Sequence, residues 1–341
     1  MKSQLTLGVL SRECSLSLRK IVAILLLPLC WVGCDNINVK PVHEDRVVTE
    51  DRSSMKNDSE YGTTIVDKME REITIVGVPK RIVSLSPSTT ELLFALGLGD
   101  SIVGVTEHCN YPEEAKAIAK VGSGTLEGIS REAILNAKPD LILCKWDNHR
   151  PLVETFERVN IPIVGLGPEN VDQLFEEALL IGKVARCEAQ ATSLIESMRA
   201  RLEKLKKAAH SIAPSQRKKV FYEVWDTPLM TAGPQSFIGE LLVLGNMDNI
   251  FHDTVNRYPR VSSESVVERN PDVILAPTTH GEKVRFETLA NRAGWENVAA
   301  IKNRQVFLID GDQVSRCGPR LLDALESMIQ QVYPEALAQR E

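Results

Sequence analysis

The pattern of hydrophobic and polar positions from residue 81 onwards alternates between short apolar runs and longer amphipathic segments. The apolar runs predict β-strands at residues 81–85, 101–105, 140–144, 161–166, 220–224, 273–276 and 305–308. The segments between them predict helices at 88–97, 129–137, 152–159 and 171–184, the first opened by a capping box from Ser88 to Glu91. Strands alternating with helices are typical of a parallel sheet covered by helices, so the predicted fold class is α/β.

One long segment, Cys187–Ala209, contains neither glycine nor proline and is rich in alanine, leucine, glutamate, lysine and arginine. As a helix of about 23 residues it spans roughly 34 Å, which is enough to connect two domains. The prediction is therefore an N-terminal lobe at 63–186, a bridging helix at 187–213 and a C-terminal lobe at 214–341. We expect this stiff helix to keep lobe closure small.

Ligands of open parallel sheets bind at the carboxyl ends of the strands, which places a ligand cleft between the two predicted lobes. Five loops follow predicted strands at that edge, and they are 86–89, 107–111, 145–149, 225–228 and 310–316. Candidate ligand contacts are expected on these loops.

Two segments of the chain, 132 positions apart, have nearly the same pattern. Residues 129–144 are ISREAILNAKPDLILC, and residues 261–276 are VSSESVVERNPDVILA. Each predicts a short amphipathic helix, a Pro-Asp break and a hydrophobic strand. A repeat with so long a period indicates two similar lobes, because the units of a solenoid are much shorter. Glu132 and Glu264 occupy the same position in the two copies.

Two interpretations of these glutamates are open. Glu132 and Glu264 fall in the first turn of their helices, just after Ser130 and Ser262, where the helix dipole favours a carboxylate. That structural role is sufficient for either residue alone. Their matched placement on two lobes favours a shared function, namely contact with a partner that is itself two-fold.

The first 33 residues have the pattern of an export signal. Arg19-Lys20 precede the apolar run Ile21–Leu29, which is short for a membrane span and typical of a signal-peptide core. Gly33 directly before Cys34 resembles the lipobox of bacterial lipoproteins, although Trp31 stands where an aliphatic residue is usual. Cleavage there predicts a protein of the periplasm or cell envelope, lipid-anchored at Cys34. Ordinary secretion without lipid is the alternative.

Composition limits the partners that the exported chain can have. Residues 34–62 have many charges and few large apolar side chains, so they predict a flexible tether. The whole chain has a net charge of −6, and removal of residues 1–33 leaves 36 basic and 45 acidic residues, a net charge of −9. This charge argues against nucleic acid as a partner. The membrane is expected as a partner only through the lipid anchor.

Four cysteines follow Cys34, and they are Cys109, Cys144, Cys187 and Cys317. They form no CxxC motif and no Cys/His spacing of a structural zinc site. Cys109 and Cys144 both follow predicted strands, so a disulfide between them is one alternative in an exported protein. Buried free thiols are the other.

Two stretches carry a resemblance to a known family. They are RIVSLSPSTTELLFALGLGDSIVGVTEHCNYPEEA at 81–115 and KPDLIL at 138–143. The chain resembles, from about Thr63 to Tyr333, the substrate-binding proteins of ABC importers for cobalamin, ferric siderophores and haem. The resemblance implies a monomer with no enzymatic activity and no cofactor of its own. It also implies that Glu132 and Glu264 dock onto arginines of the ABC permease dimer.

The segments VGVTEHCNYP and SRCGPRLLDALE are most similar to the cobalamin branch of that family. The implied ligand is a cobalt corrinoid, with an iron chelate, either a ferric siderophore or haem, as the alternative. The ligand-binding candidates are Ser86, His108, Trp146, Trp225, Tyr258, Asp312 and Arg316. Tyr258 stands where that branch uses an aromatic side chain. His108 stands where an aromatic is common, and an axial role toward cobalt or haem iron is open.

Enzymatic functions find little support in the motifs. The sequence contains no GxSxG, HExxH, P-loop or GxGxxG pattern. A chelatase-like metallo-enzyme on a two-lobed fold is the alternative from another class, with His108, Cys109, Cys144 and Cys317 converging on a metal. A sensor or scaffold is a third interpretation.

Overall fold

A computed structural model describes residues 62–279 and 286–338. The predicted signal segment, Cys34 and all but the last residue of the predicted tether lie outside the described residues. The N-terminal lobe contains β1 (Gly62–Val66), β2 (Glu72–Val76), β3 (Ile82–Ser84), α1 (Pro87–Ala95), β4 (Ile102–Val105), α2 (Arg131–Asn136), β5 (Leu141–Lys145), α3 (Val153–Glu157), β6 (Ile163–Leu166) and α4 (Val171–Ala185). Helix α5 (Glu188–Ala209) follows and leads into the second lobe.

The C-terminal lobe repeats the alternation of strands and helices. Its elements are β7 (Lys219–Asp226), β8 (Leu229–Thr231), α6 (Phe237–Leu244), β9 (Asp248–Asn249), α7 (Ser263–Arg269), β10 (Val273–Pro277), α8 (Phe286–Ala290), α9 (Ala299–Lys302), β11 (Val306–Ile309), α10 (Gly311–Val314), α11 (Leu321–Val332) and α12 (Pro334–Ala338).

Each lobe is built on a parallel sheet, which confirms the predicted fold class. The first sheet has the strand order β4-β3-β5-β6, and all its pairs are parallel. The second has the order β11-β10-β7-β8, with the pairs among β11, β10 and β7 parallel and β8 antiparallel. The short strand β9 pairs with the start of β7. The hydrophobic runs of β5 and β10 are buried throughout, except for Lys145 at the end of β5, because helices cover both faces of a parallel sheet.

The Pro-Asp break of the internal repeat has the same structural role in both lobes. The Asp140 carboxylate accepts the backbone N–H groups of Lys80 (2.8 Å) and Arg81 (2.9 Å), which lead into β3. The Asp272 carboxylate accepts the N–H of Lys219 at 2.9 Å, at the start of β7. Each aspartate therefore ties its own strand to the neighbouring parallel strand and fixes their register.

Helix α5 has the length and the exposed polar surface expected of a bridge. Its 22 residues bury a single stripe and leave most charged side chains exposed. At its C-terminal end the Asn246 side chain donates to the carbonyls of Ala209 (3.0 Å) and Ile212 (3.3 Å). These bonds satisfy helix-terminal carbonyls and fix α5 onto the C-terminal lobe.

The structure corrects the start of the first predicted helix. Helix α1 begins at Pro87, with Ser86 as N-cap and no side-chain capping bond, so Ser88 and Glu91 do not form a capping box. Proline suits the first helical position because its missing N–H has no intrahelical partner there. Glu91 lies instead in a buried ion cluster, described below.

The first two strands were not predicted, and they form an antiparallel hairpin. Asp67, in the turn between them, accepts the N–H groups of Met69 and Arg71 through Oδ1 at 2.9 and 3.0 Å. Its Oδ2 accepts the N–H of Gly165 in β6 at 2.9 Å. A single buried carboxylate therefore folds the turn and attaches the hairpin to the sheet.

We expect Asp140→Ala to destabilise the protein by about 2 kcal/mol and Asp272→Ala by about 1 kcal/mol, since each lost hydrogen bond contributes about 1 kcal/mol. The difference reflects two bonded N–H groups at Asp140 and one at Asp272. Urea unfolding of both variants at one pH measures the two losses. Equal losses, or a larger loss for Asp272→Ala, would contradict this assignment.

Candidate functional site

The carboxyl ends of the parallel strands in both lobes open onto one cleft of about 440 Å³. The N-terminal lobe lines it with the segment before α1, the loop after β4 and the segments that follow β5 and β6. The C-terminal lobe lines it with the start of α6, the segment around Tyr258 and the segment from Asp312 to Cys317. The cleft therefore lies where the sequence predicts it, at the carboxyl ends of the strands and between the lobes.

Six of the seven predicted ligand contacts line this cleft. They are Ser86, His108, Trp146, Tyr258, Asp312 and Arg316. Trp225 is not among the described lining residues. Strand β7 extends to Asp226 and pairs back onto β8, so the segment predicted as a cleft loop is a hairpin. The Trp225 indole is 44% exposed and donates to the Thr227 carbonyl at 2.9 Å.

Arg316 lies between the two lobes with most of its donors engaged by protein groups. Its Nη1 donates to Oε1 of Glu91 (3.0 Å) and to Oδ1 of Asn110 (2.8 Å). Its Nη2 donates to the carbonyl of His108 (3.1 Å) and to Oδ1 of Asp312 (2.8 Å). A guanidinium has five N–H donors, so this geometry leaves little of Arg316 for a ligand carboxylate or amide.

Glu91 is the centre of this ion cluster and is only 4% exposed. Arg320 donates to both of its oxygens, through Nε at 2.9 Å and Nη2 at 2.6 Å. The Arg320 guanidinium also lies 4.0 Å from the ring centroid of Tyr111. The Glu91 carboxylate and burial act on Arg320 in opposite directions, and the bonds to Glu91 hold the pKa of Arg320 above its usual range. Two cations of one lobe thus meet one buried carboxylate of the other.

A second ion pair joins the lobes at the cleft. Arg257 of the C-terminal lobe donates through both Nη atoms to the two oxygens of Glu169, with Nη2 to Oε2 at 2.6 Å. These bonds lower the pKa of Glu169 and raise that of Arg257. Nearby, the N–H of Val171 donates to Oε2 of Glu240 at 3.0 Å, again between the lobes. The lobes are therefore joined by polar contacts at both Glu91 and Glu169.

Charges in the cleft are paired with one another. Besides the pairs of Arg316 with Asp312 and of Arg257 with Glu169, Lys145 lies 3.5 Å from Asp147. Among the described lining residues, the lysine and the two arginines are matched by three carboxylates. The cleft consequently has no excess formal charge when His108 is neutral.

Three aromatic side chains line the cleft, namely Trp146 from the N-terminal lobe and Phe237 and Tyr258 from the C-terminal lobe. Trp146 packs over Gly167, where an added Cβ would lie 2.8 Å from Cδ1 of the indole, so glycine makes this close approach achievable. Tyr258 is half-buried at the opposite lobe, and burial raises the pKa of its hydroxyl. Two rings on facing lobes are suited to contact a broad, flat ligand.

The cysteines do not form a metal site in the part of the chain that the structure describes. Within residues 62–279 and 286–338, no group of three or more histidine, cysteine or carboxylate side chains is arranged to hold a metal ion. Cys109, Cys144 and Cys317 are buried free thiols, as is Cys187. Burial raises the pKa of Cys144 to about 12, so this thiol stays protonated at neutral pH. The disulfide alternative for Cys109 and Cys144 is not realised, and the convergent metal site is not found.

The matched glutamates are exposed at their helix starts. Ser130 accepts the N–H of Ala133 and Ser262 accepts that of Ser265, each at 3.1 Å, so both serines cap as predicted. Glu132 and Glu264 are exposed. The backbone N–H of Glu264 and the Ser262 hydroxyl lower the pKa of the Glu264 carboxyl. Both carboxylates are therefore available to a partner, whatever their effect on the helices.

Sequence reasoning missed most of the side chains that make polar contacts between the lobes, namely Glu91, Asn110, Glu169, Glu240, Arg257 and Arg320. Glu91 and Arg316 are separated by 225 positions, and Glu169 and Arg257 by 88. No local pattern links such residues. The one available signal was Glu91 itself, a charged residue inside the otherwise uncharged stretch from Ile82 to Gly99.

No helix among the described residues is long and apolar enough to cross a bilayer. Residues 82–313 match the periplasmic binding protein family. The chain is 31% identical to an uncharacterized ABC transporter substrate-binding lipoprotein of Bacillus subtilis, YvrC, over 92% of this chain and 96% of that protein. It is 34% identical to a vitamin B12-binding protein of Yersinia pestis, over 74% of this chain and 86% of that protein. A solved structure of a possible iron-binding (periplasmic solute-binding) protein from Staphylococcus epidermidis aligns with a TM-score of 0.67 and 29% identity, covering 75% of this chain and 99% of that one.

We expect Glu91→Gln to lower the free energy of unfolding by about 3 kcal/mol, because it leaves the largely buried Arg320 without its anion and Arg316 with Asp312 alone. Glu113→Gln is the matched control, since Glu113 pairs with Lys116 at 2.7 Å on the surface. Its loss should stay below about 1 kcal/mol. Urea unfolding at constant pH measures both, and similar losses would show that the buried cluster does not hold the lobes together.

Proposed function

The chain belongs to the periplasmic binding protein family, and from that premise we propose that it is the substrate-binding component of an ABC importer. In this proposal it captures a large metal chelate, cobalamin or another cobalt corrinoid first, and delivers it to the membrane permease. The observation that carries the proposal is the cleft, with Trp146 and Tyr258 on facing lobes and its charges already paired. The 34% sequence identity with the vitamin B12-binding protein of Yersinia pestis supports the same ligand class.

Charge pairing favours a corrinoid over haem. The rim of a corrinoid carries mainly neutral amides, whereas haem carries two propionate carboxylates. A carboxylate that paired with Arg316 would have to take it from the buried Glu91 and would leave a desolvated anion behind. Arg257 would likewise have to leave Glu169, and only Lys145, whose pair with Asp147 is exposed, is open to exchange at low cost. Amides need only single hydrogen bonds to partners such as Ser86 or the loop backbone, so they disturb neither ion pair.

An iron chelate, either a ferric siderophore or haem, is the second candidate. His108 supports it, because an exposed imidazole on the cleft wall is suited to an axial position of a metal chelate. The similarity to the Staphylococcus epidermidis protein supports it as well. The same imidazole would also replace the water of aquocobalamin, so His108 does not by itself separate cobalt from iron.

Calorimetric titration with cyanocobalamin and aquocobalamin tests the ligand, and we expect one-to-one binding. Tyr258→Ala should weaken binding by about 1–3 kcal/mol, because it removes a ring from the centre of the contact. Trp225→Ala is the matched control and should have a smaller effect, since Trp225 does not line the cleft.

Absence of binding to both corrinoids would exclude the first candidate, and haem and ferric siderophores should then be titrated. A visible-spectrum change with aquocobalamin that disappears in His108→Ala would identify an axial histidine.

We further propose that Glu132 and Glu264 dock onto arginines of the permease dimer. Both are exposed, and each lies in the first turn of a helix that precedes a parallel strand. Such helices run antiparallel to the strand, so their N-termini lie toward the strand edge that carries the cleft. Carboxylates there can pair bidentately with arginines, which fixes orientation as well as attraction.

Charge reversal tests the docking pair. Glu132→Arg or Glu264→Arg should leave ligand affinity and Tm nearly unchanged and lower ligand uptake by cells, since like charges then meet at the docking surface. The double reversal should abolish uptake. Normal uptake combined with a lower Tm in both single variants would show that these glutamates only stabilise their helices.

The localisation proposal rests on the sequence of the first 34 residues. The export signal and the cysteine after Gly33 support a lipid anchor at Cys34 in the periplasm or cell envelope. The relative from Bacillus subtilis is described as a lipoprotein, which supports the same proposal. Attachment by lipid at one residue would leave the lobes free to meet the ligand and the permease.

A further inference from the structure

The segment Gly167–Glu169 connects β6 to α4 and forms part of the cleft wall. Gly167 has φ of 143°, a conformation that favours glycine, and the Trp146 indole packs directly over it. The backbone N–H of Trp146 also donates to the backbone carbonyl of Leu166 at 2.8 Å. The position of this segment therefore sets the position of an aromatic ring that faces the ligand.

Two side chains of α4 hold the segment from behind. The N–H of Gly167 donates to Oε1 of Glu177, and the N–H of Glu169 donates to Oε1 of Gln173 at 3.0 Å. Gln173 Oε1 accepts in addition the Lys68 ammonium at 2.9 Å. Glu177 is not among the residues that line the cleft, and its hydrogen bond to the cleft wall is made to the backbone of Gly167.

Glu177 is a buried carboxylate without a cation in contact. It is 9% exposed, and within the described ranges no lysine, arginine or histidine lies within ion-pair distance of it. Glu177 lines a cavity of about 170 Å³ behind the segment, together with Asp67 and Lys68 of the β1–β2 turn and Glu176 of its own helix. The thiol of Cys317, in the C-terminal lobe, is also close enough to Glu177 to interact with it electrostatically.

Burial raises the pKa of Glu177 to about 7, opposed by the Gly167 N–H and by Lys68. Its charge therefore changes within the neutral range. Burial also raises the pKa of the Cys317 thiol, which stays neutral throughout that range.

We propose that Glu177 is a positioning residue for the ligand: its charged carboxylate holds the Gly167–Glu169 segment and, through it, Trp146 in the conformation that binds the chelate. A charged acceptor makes a hydrogen bond roughly twice as strong as a neutral one, so protonation of Glu177 loosens the segment. Ligand affinity then decreases as the pH falls through the neutral range. The proposal depends on the proposed function only in that the cleft binds the chelate.

The contribution of Glu177 to folding stability should change with pH in the direction opposite to its effect on ligand affinity. The pKa of Glu177 in the folded protein, about 7, is raised above its ordinary value of 4.5. Such a group contributes stability that is fully present below the ordinary pKa and is lost as the pH rises through the folded pKa. A residue with only a structural role would lower affinity and stability together, so opposite trends distinguish a positioning role.

The experiment compares wild type with Glu177→Gln and Glu176→Gln by cyanocobalamin titration between about pH 5.5 and 8.5. Wild type should bind about fivefold more tightly at the upper end, as expected for a charged bond exchanged for a neutral one. Glutamine keeps an acceptor for Gly167 but does not titrate, so Glu177→Gln should give a flat profile near the acidic wild-type value. Glu176→Gln removes an exposed charge of the same helix and should follow wild type.

A ligand-free measurement separates this proposal from the function itself. The Gly167 amide resonance of nitrogen-15-labelled protein should titrate near pH 7 in wild type and not in Glu177→Gln. If cyanocobalamin does not bind, the ligand assignment fails while this titration still tests the contact. A Gly167 amide that does not titrate, or parallel affinity profiles for wild type and Glu177→Gln, would overturn the proposal. The His108 imidazole is present in both proteins, so it cannot produce the difference.

Discussion

The ion cluster around Glu91 constrains how the two lobes meet, and the geometry of the cleft depends on it. A carboxylate with 4% exposure has lost most of its hydration, and that cost is offset only where Arg316 and Arg320 reach it. Both arginines belong to the C-terminal lobe, so separating the lobes would break every ion pair of Glu91. Helix α5 connects the lobes, and the Glu91 cluster, together with the Glu169–Arg257 pair, fixes how they meet at the cleft.

This use of charge also limits what the cleft can recognise. Arginines are the usual means of binding anionic ligands, but here Arg257 and Arg316 are committed to carboxylates of the protein. Selectivity must therefore come from the shape between Trp146 and Tyr258 and from a few neutral hydrogen bonds. In the role proposed for Glu177, a buried charge likewise shapes the cleft, because it holds the wall at Gly167 although its burial lowers folding stability.

The parts of the molecule that the sequence predicts are those set by local periodicity. The apolar runs of β5 and β10 mark strands buried on both faces, and the carboxyl ends of the predicted strands then place Ser86, His108 and Trp146 at one edge without any knowledge of side-chain contacts. The wrong predictions concern nonlocal contacts. The sequence predicts a loop at Trp225 because it does not show that β8 pairs back onto β7. The spacing from Ser88 to Glu91 predicts a capping box, whereas the arginine partners of Glu91 lie more than 200 positions away.

The internal repeat separates what the lobes share from what they do not. The capping serines, the glutamates in the first helical turn and the aspartates that fix strand register are equivalent in the two copies. The loops at the cleft are not, since one lobe presents Trp146 over Gly167 and the other presents Tyr258. The proposed chelate meets a different face on each lobe, so its contacts need not be equivalent. The proposed permease dimer would meet both lobes in the same way, and among the described residues Glu132 and Glu264 are exposed, equivalent features suited to it.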